Sequence, residues 1–390
     1  MKIHIHRGQN QIGGNVVEIA TDSTKILLDA GLPFFGEDDI PLKIDGLFDY
    51  AGYDAVFISH YHRDHVGLAY KIHKDIPIYM GENAYKILKV TDRYKLKRTF
   101  KINGYMRDGE PIFIGDIKVT PYLCDHSAYD SYMVVCESGG ERILYTGDFR
   151  STGRKSFEKL LKALPKNIDK MICEGTSLSQ SRRRGIKEEE LEERAANLFR
   201  EAKGPVFVLQ ETTNIDRLIT MYRAAQKSGR VLLQDVYMAD VAQAAGPEVP
   251  SPFNNRAYTF VTNFLMWPRL LKFKRRVNVH ALSEMSFVMC IRSTMLFYLK
   301  SLAKKISFED GLLIYSIRRG YAEKKSVKRF LEGCEKLGLN VVTLHTSGHA
   351  DEETIKKLIE TVNPKIVLPI HTLNSAGFSK LVKEEISEIE

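Results

Sequence analysis

The stretch Ser59-His60-Tyr61-His62-Arg63-Asp64-His65 decides how the rest of the chain reads. Three histidines and an aspartate fall within six residues, directly after the apolar run 55–58. Neutral imidazoles bind transition metals well, and a carboxylate adds a hard, charged oxygen. A loop at the end of a buried strand can splay such side chains into one cavity. A His-rich polar surface loop is the bland alternative. With only 11 histidines in 390 residues, the clustering argues for a metal site.

Outward from this stretch the arrangement recurs. Residues 142–145 lead to Thr146-Gly147-Asp148, residues 169–173 to Glu174-Gly175-Thr176, residues 340–344 to His345-Thr346-Ser347-Gly348-His349, and residues 365–370 to His371. His126 lies just beyond the run 117–123. Strand ends are where sites collect in sheets packed against helices. Singly, each residue has a dull reading: Asp148 a turn former, Glu174 a cap, His126 a satisfied polar group. Jointly they point to one site.

Short apolar or β-branched runs at 15–19, 25–28, 55–58, 117–121, 132–136 and 142–145 predict a β-rich first part with few helices, one of them at 82–90. After about residue 177 strands and helices alternate: a strand at 205–209, a helix at 215–226 capped by Asn214 and closed by Gly229, a strand at 231–234 and a helix at 237–245. A final βαβ unit is expected from 340–344, 352–362 and 365–370. Domains are expected at 1–177, 178–322 and 323–390, the middle one an insertion.

The run His60-x-His62-x-Asp64-His65 resembles the signature of the metallo-β-lactamase superfamily. His126 and Asp148 fall where that family places its next motifs, and Asp29 in Leu27-Leu28-Asp29-Ala30-Gly31 looks like its first. Glu174, a long insertion, then Ser347-Gly348-His349 and Pro369-Ile370-His371 resemble the β-CASP nucleases, ribonuclease J among them. The resemblance implies an α/β fold: an αββα metallo-β-lactamase sandwich with an inserted β-CASP α/β domain. It implies two Zn²⁺ ions, with Mn²⁺ as the alternative. His60, His62 and His126 would hold one, Asp64, His65 and His371 the other, and Asp148 would bridge them. It implies hydrolysis of phosphodiester bonds, in RNA by preference, through a hydroxide held between the ions. His349 would protonate the leaving oxygen with Glu174 orienting it, and Asp64 counts among the catalytic residues as well as the ligands. Asp29 would fix the metal loop from outside, and the turn at Ser347 and Gly348 would face a phosphate. A small-molecule metallohydrolase of thioester or lactam type, a DNA nuclease and a non-enzymatic RNA scaffold are the competing readings. The chain ends about twenty residues after His371, without the separate C-terminal domain of ribonuclease J, which leaves a homodimer and exo- or endonuclease action open.

The bulk numbers agree with a polyanionic partner, RNA or single-stranded DNA. Net charge is +8, and a basic surface attracts phosphates. The basic runs 182–184 and 272–276 and the aromatic stretch 258–273 read either as a phosphate clamp with a base-stacking surface, or as a solvated face and a buried or intersubunit helix. Five cysteines without a CxxC pair fit a reducing compartment better than a disulfide framework. With no secretory signal and no apolar run of membrane length, a cytoplasmic protein with no membrane partner is expected.

Overall fold

The computed structural model of the chain describes residues 1–33, 42–96, 99–179, 185–262 and 266–381. Among these, eighteen strands, β1–β18 in chain order, form three six-stranded sheets. Two sheets belong to a compact unit built from Met1–Gly185 and Gly348–Glu390, and the third to a unit spanning Ile186–Ser347.

The first sheet of the discontinuous unit runs in chain order: β1 (Lys2–Arg7), β2 (Val16–Ala20), β3 (Lys25–Leu28), β4 (Ala55–Ile58), β5 (Ile78–Gly81) and β6 (Gly104–Met106). It is antiparallel up to β3 and parallel from there on. The second sheet has the order β18-β11-β10-β9-β8-β7. Its strands are β7 (Ile112–Ile114), β8 (Ile117–Cys124), β9 (Ser131–Ser138), β10 (Glu141–Tyr145), β11 (Lys170–Glu174) and β18 (Ile366–Ile370). Side chains on a strand alternate between faces, and β9 shows what this produces. Tyr132, Val134 and Cys136 join a core shared with Val17, Ile26 and Phe57 of the first sheet. Met133 and Val135 point the other way, into a core with helices Phe157–Ala163 and Glu352–Val362. Helix Glu82–Thr91 packs beside β5 and buries Ala84, Ile87 and Leu88. The layers are therefore helix, sheet, sheet, helix. Burying a large apolar side chain contributes about 1.5–3 kcal/mol, so a strand apolar on both faces anchors two cores at once.

The second unit holds an all-parallel sheet of order β14-β13-β15-β12-β16-β17. Its strands are β12 (Val206–Leu209), β13 (Val231–Asp235), β14 (Tyr258–Phe260), β15 (Phe287–Ile291), β16 (Gly311–Tyr315) and β17 (Leu339–Thr343). Continuous apolar runs such as Val206–Leu209 and Phe287–Ile291 are wholly buried, as strands covered on both faces must be. Helix Ile215–Lys227 starts where the Asn214 side chain accepts the Arg217 N–H at 3.0 Å.

Two expectations need correction. Residues 340–344, 352–362 and 365–370 do not form one βαβ unit. β17 pairs with β16 in the second unit, whereas β18 pairs with β11 in the first, Lys170 facing Ile366. The second unit consequently runs on to Ser347 instead of ending at 322, because Val327, Phe330 and Cys334 of helix Lys325–Glu335 pack into its core. The arginine run 182–184 lies outside the described residues. All five cysteines are free and buried. Among the described residues no helix is long and apolar enough to cross a membrane.

Candidate metal centre

β4 (Ala-Val-Phe-Ile) is buried along its whole length. The chain leaves it at Ser59 and turns at once into the short helix Arg63–Val66, which buries Asp64 and His65. Main-chain bonds fasten this turn to the neighbouring loops: Asn15 N–H to Asp64 O at 3.0 Å and Ala30 N–H to His65 O at 2.8 Å. Gly31 makes the fit possible, since a Cβ there would lie 1.8 Å from the Asp64 carbonyl oxygen.

The four most enclosed imidazoles are oriented in one way. His60 Nδ1 is 3.0 Å from Ser59 Oγ, His65 Nδ1 2.6 Å from Asp29 Oδ2, His126 Nδ1 2.5 Å from Gly348 O, and His371 Nδ1 2.6 Å from Thr176 Oγ1. The Ser59 hydroxyl donates to Asp29 at 2.8 Å and the Thr176 hydroxyl to His371 O at 3.1 Å, so both oxygens accept from the imidazoles. The hydrogen-bond network thus assigns the proton of each ring to Nδ1 and leaves the Nε2 lone pair facing inward. Around Asp148 Oδ2 these Nε2 atoms lie at 3.9 Å (His60), 3.3 Å (His65), 3.9 Å (His126) and 3.8 Å (His371). His62 presents Nδ1 instead, 3.1 Å from His126 Nε2. Asp64 Oδ2 is 3.2 Å from His371 Nε2.

Four overlapping groups of ligand atoms emerge: His60 with His62 and His126, Asp64 with His65 and His371, Asp148 with His60 and His65, and Asp148 with Glu174, His349 and His371. Their chemistry fits metal ions. His60 Nε2, His65 Nε2 and Asp148 Oδ1 are buried without a hydrogen-bond partner, a costly state unless something else occupies that space. Asp29, Asp64 and Asp148 also bring three carboxylates into a water-poor interior, which requires compensating positive charge. Burial, reinforced by the neighbouring imidazoles, holds His60 and His126 well below the usual imidazole range, in the neutral form that binds metal. Burial opposes charge on His65 too, but Asp148 and Asp29 outweigh it and push this group well above that range, so the same two carboxylates that favour a cation at this spot would hold a second proton on His65 Nε2 until an ion displaces it. At Asp64 burial again opposes ionisation, but the neighbouring His371 and His65 imidazoles prevail, lowering the carboxyl to about 2.

His349 sits beside this cluster, Nδ1 3.2 Å from Glu174 Oε1 and 3.5 Å from Asp148 Oδ2. Glu174 is fixed by the main-chain N–H groups of Phe149 (3.4 Å), Ala350 (3.3 Å) and Thr176 (3.0 Å). Asp29 has φ +58° and His371 φ +55°, a strained backbone for residues with a Cβ.

The structure also brings in residues to which the sequence reading gave no role or, for Gly348, a different one. Ser59, Tyr145, Thr176 and the Gly348 carbonyl each hold a candidate ligand or the carboxylate behind it. Tyr145 donates to Asp29 at 2.6 Å. Gly348 lies so close to Ser127 that a Cβ would meet its Oγ at 2.5 Å, a reason for glycine distinct from facing a phosphate. Buried Arg150 bonds Asp125 through Nε at 3.0 Å and ties the His126 strand end to the Asp148 loop. Their only sequence signal was position, one to three residues from a candidate site residue. Cys124 is buried and donates to Asp148 O at 3.7 Å, outside the ligand groups.

A family model described as a beta-lactamase superfamily domain matches residues 24–210. A second, described as a Zn-dependent metallo-hydrolase RNA specificity domain, matches 336–389. Similar curated proteins include Ribonuclease J of Mycoplasma pneumoniae, 25% identical over 95% of this chain and 67% of that protein. Ribonuclease J of Mycobacterium tuberculosis is 23% identical over 93% and 67%, and Ribonuclease J 1 of Streptococcus pyogenes 25% over 93% and 67%. The chain belongs to the metallo-β-lactamase superfamily, in its ribonuclease J-like, β-CASP branch. This metallo-β-lactamase protein spans about two thirds of the length of those relatives. A crystallised protein of unknown function from Enterococcus faecalis V583 has the same fold, with TM-score 0.82 and 22% identity over 100% of this chain and 97% of that one.

Proposed function

We propose that this protein is a metal-dependent ribonuclease that hydrolyses phosphodiester bonds at a dinuclear zinc centre. The observation that carries the reading is the convergence of four Nε2 atoms within 3.9 Å of a single carboxylate oxygen of Asp148. It is joined to an RNA-specificity match at the chain's C-terminal part. His60, His62 and His126 would hold one ion, Asp64, His65 and His371 the second, and Asp148 would lie between them. Ions bound there would supply an activated water near neutral pH and neutralise charge developing on the phosphoryl oxygens.

The chain's own residues do the rest. The Nδ1 contacts keep the ligand rings from turning, so the cavity is shaped before substrate arrives. Glu174, pinned by three N–H groups, orients His349, which delivers a proton to the leaving oxygen. Ser347 and Gly348, next to His349 in the chain, are the proposed phosphate contacts. Manganese is the alternative ion, and single-stranded DNA the alternative substrate.

The test is a product map on labelled single-stranded RNA carrying 5′-monophosphate or 5′-triphosphate, with Zn²⁺ or Mn²⁺ and a DNA strand of the same sequence alongside. RNA cleavage that falls about 100-fold or more in His62→Ala is the expected result. Identical products at an equal rate from that variant would assign the activity to a contaminant.

A further inference from the structure

Between Glu248 and Glu284 the chain carries no acidic residue over 35 positions, yet it carries six lysines and arginines: Arg256, Arg269, Lys272, Lys274, Arg275 and Arg276. In a protein with a net charge of +8 this is a concentrated cationic segment. It lies within the Ile186–Ser347 unit. Arg269 reaches Asp240 at 3.6 Å. Lys272 and Lys274 are exposed and make no ion pair among the described residues. Arg275 lies over the Tyr258 ring at 5.2 Å, and Arg276 donates to the Phe273 carbonyl at 3.0 Å.

The same segment holds large apolar side chains in water. Trp267 is 44% exposed, Leu271 52% and Phe253 44%. Trp267 and Leu271 stand one helical turn apart, the Leu271 N–H donating to Trp267 O at 3.2 Å. They therefore share a face. Beneath them Leu270 and Phe273 are buried with Val236 and Ala239, and the Phe253 ring meets Phe273 edge-on at 4.7 Å. The backbone is fixed as well: Thr259 N–H donates to Arg275 O, and Val277 N–H to Thr259 O, both at 2.9 Å. The aromatic stretch is thus not a wholly buried helix, one of the two readings, with an intersubunit helix, that competed with base stacking.

Isolated exposed apolar residues are ordinary. Here they are interleaved with cations that have no acidic counterpart in the segment, and that conjunction selects the partner. Every base offers a π-face that stacks on tryptophan or phenylalanine, while lysine and arginine pair with the phosphates between bases. We propose that the exposed segment around Phe253, Trp267, Leu271, Lys272 and Lys274 is a binding platform for single-stranded RNA, with Trp267 stacking on a base and the two lysines on flanking phosphates. The proposal rests on the ribonuclease reading for its choice of RNA, and it adds a recognition surface outside the metal-ligand set.

Trp267 is the one tryptophan of the chain, so fluorescence excited selectively at tryptophan reports on this segment alone. The full-length protein is mixed with single-stranded oligouridylate of about twelve nucleotides and read by stopped flow before turnover. Saturable quenching is expected. Binding followed by anisotropy of labelled RNA should weaken about tenfold in Trp267→Ala and far less in Trp267→Phe. Lys272→Gln with Lys274→Gln should lower the slope of log affinity against log salt by about 1.4, at roughly 0.7 for each phosphate that the lysines no longer neutralise. RNA binding without quenching, and without weakening in Trp267→Ala, would overturn the platform. Quenching by anionic phospholipid vesicles but not by RNA would overturn it in favour of a membrane surface. A concentration-dependent dimer abolished by Trp267→Ala, again without an RNA effect, would make the face a contact between copies. RNA cleavage untouched by Trp267→Ala sinks the platform alone, and platform binding without any cleavage sinks the nuclease reading alone.

Discussion

At Asp29 one carboxylate serves three side chains and a main-chain N–H. It accepts from His65 Nδ1 (2.6 Å), Tyr145 OH (2.6 Å), Ser59 Oγ (2.8 Å) and Ser59 N (2.7 Å). It fixes the proton of His65 on Nδ1 and sets Ser59, which in turn sets His60. Asp29→Asn keeps the shape but replaces an acceptor oxygen with an NH₂ that faces donors. Affinity for Zn²⁺ should fall by about 10- to 100-fold, read by competition with a chromophoric chelator; affinity equal to the parent would show that Asp29 does not tune the centre. Much of the site at this scale was readable in advance, because His60, His62, Asp64 and His65 are neighbours in sequence. Tyr145 was not, since it reaches Asp29 across 116 positions and a tyrosine at a strand end looks like any core aromatic. The tautomers were hidden too, because they depend on Gly348 O and Thr176 Oγ1, which meet their histidines across 222 and 195 positions.

Among the elements, helices Glu188–Glu201 and Ile215–Lys227 of the second unit share a buried ion pair. Arg217 donates to Glu188 through Nη2 at 3.1 Å and Nε at 3.3 Å, Thr220 Oγ1 donates to Glu188 at 2.7 Å, and Arg217 Nη1 reaches Ser316 O at 3.0 Å. Both charged side chains are fully buried. Removing one charge strands the other, so Glu188→Gln should destabilise this unit by roughly 3 kcal/mol or more, and Glu188→Leu with Arg217→Met should recover much of the loss. Urea unfolding with Trp267 fluorescence follows the right unit; a double variant no better than the single one would contradict this account. Helix Ile215–Lys227 was legible because Asn214 caps it and Gly229 follows it. Strands β6, β7 and β14 were not, each being only three residues long, and β1 alternates charged and apolar residues at an edge. β17 shows the deeper limit: its apolar run announces a strand, but the choice between β16 before it and β18 after it as neighbour is made by packing. Adjacency in sequence usually favours adjacency in a sheet, but both strands are adjacent to β17 in the chain, and the βαβ reading took the wrong one.

At the scale of the molecule, the proposed metal centre lies within one unit but draws on both of its chain segments: His60 to Glu174 from the first, His349 and His371 from the second. The intervening 162 residues form a unit with its own parallel sheet and core. That division explains why the site could be proposed from motifs but not proved by them, since convergence of position 371 on position 60 is a property of the folded first unit. It also places the cationic, aromatic face in the second unit, apart in the chain from every proposed ligand. The central claim is that seven side chains define a two-ion centre, and anomalous X-ray diffraction at the zinc absorption edge addresses it directly. Crystals grown with Zn²⁺ should show two peaks about 3.5–4 Å apart, one among His60, His62 and His126, the other among Asp64, His65 and His371, with Asp148 reaching both. A single peak, or zinc bound elsewhere with these residues left out, would contradict it.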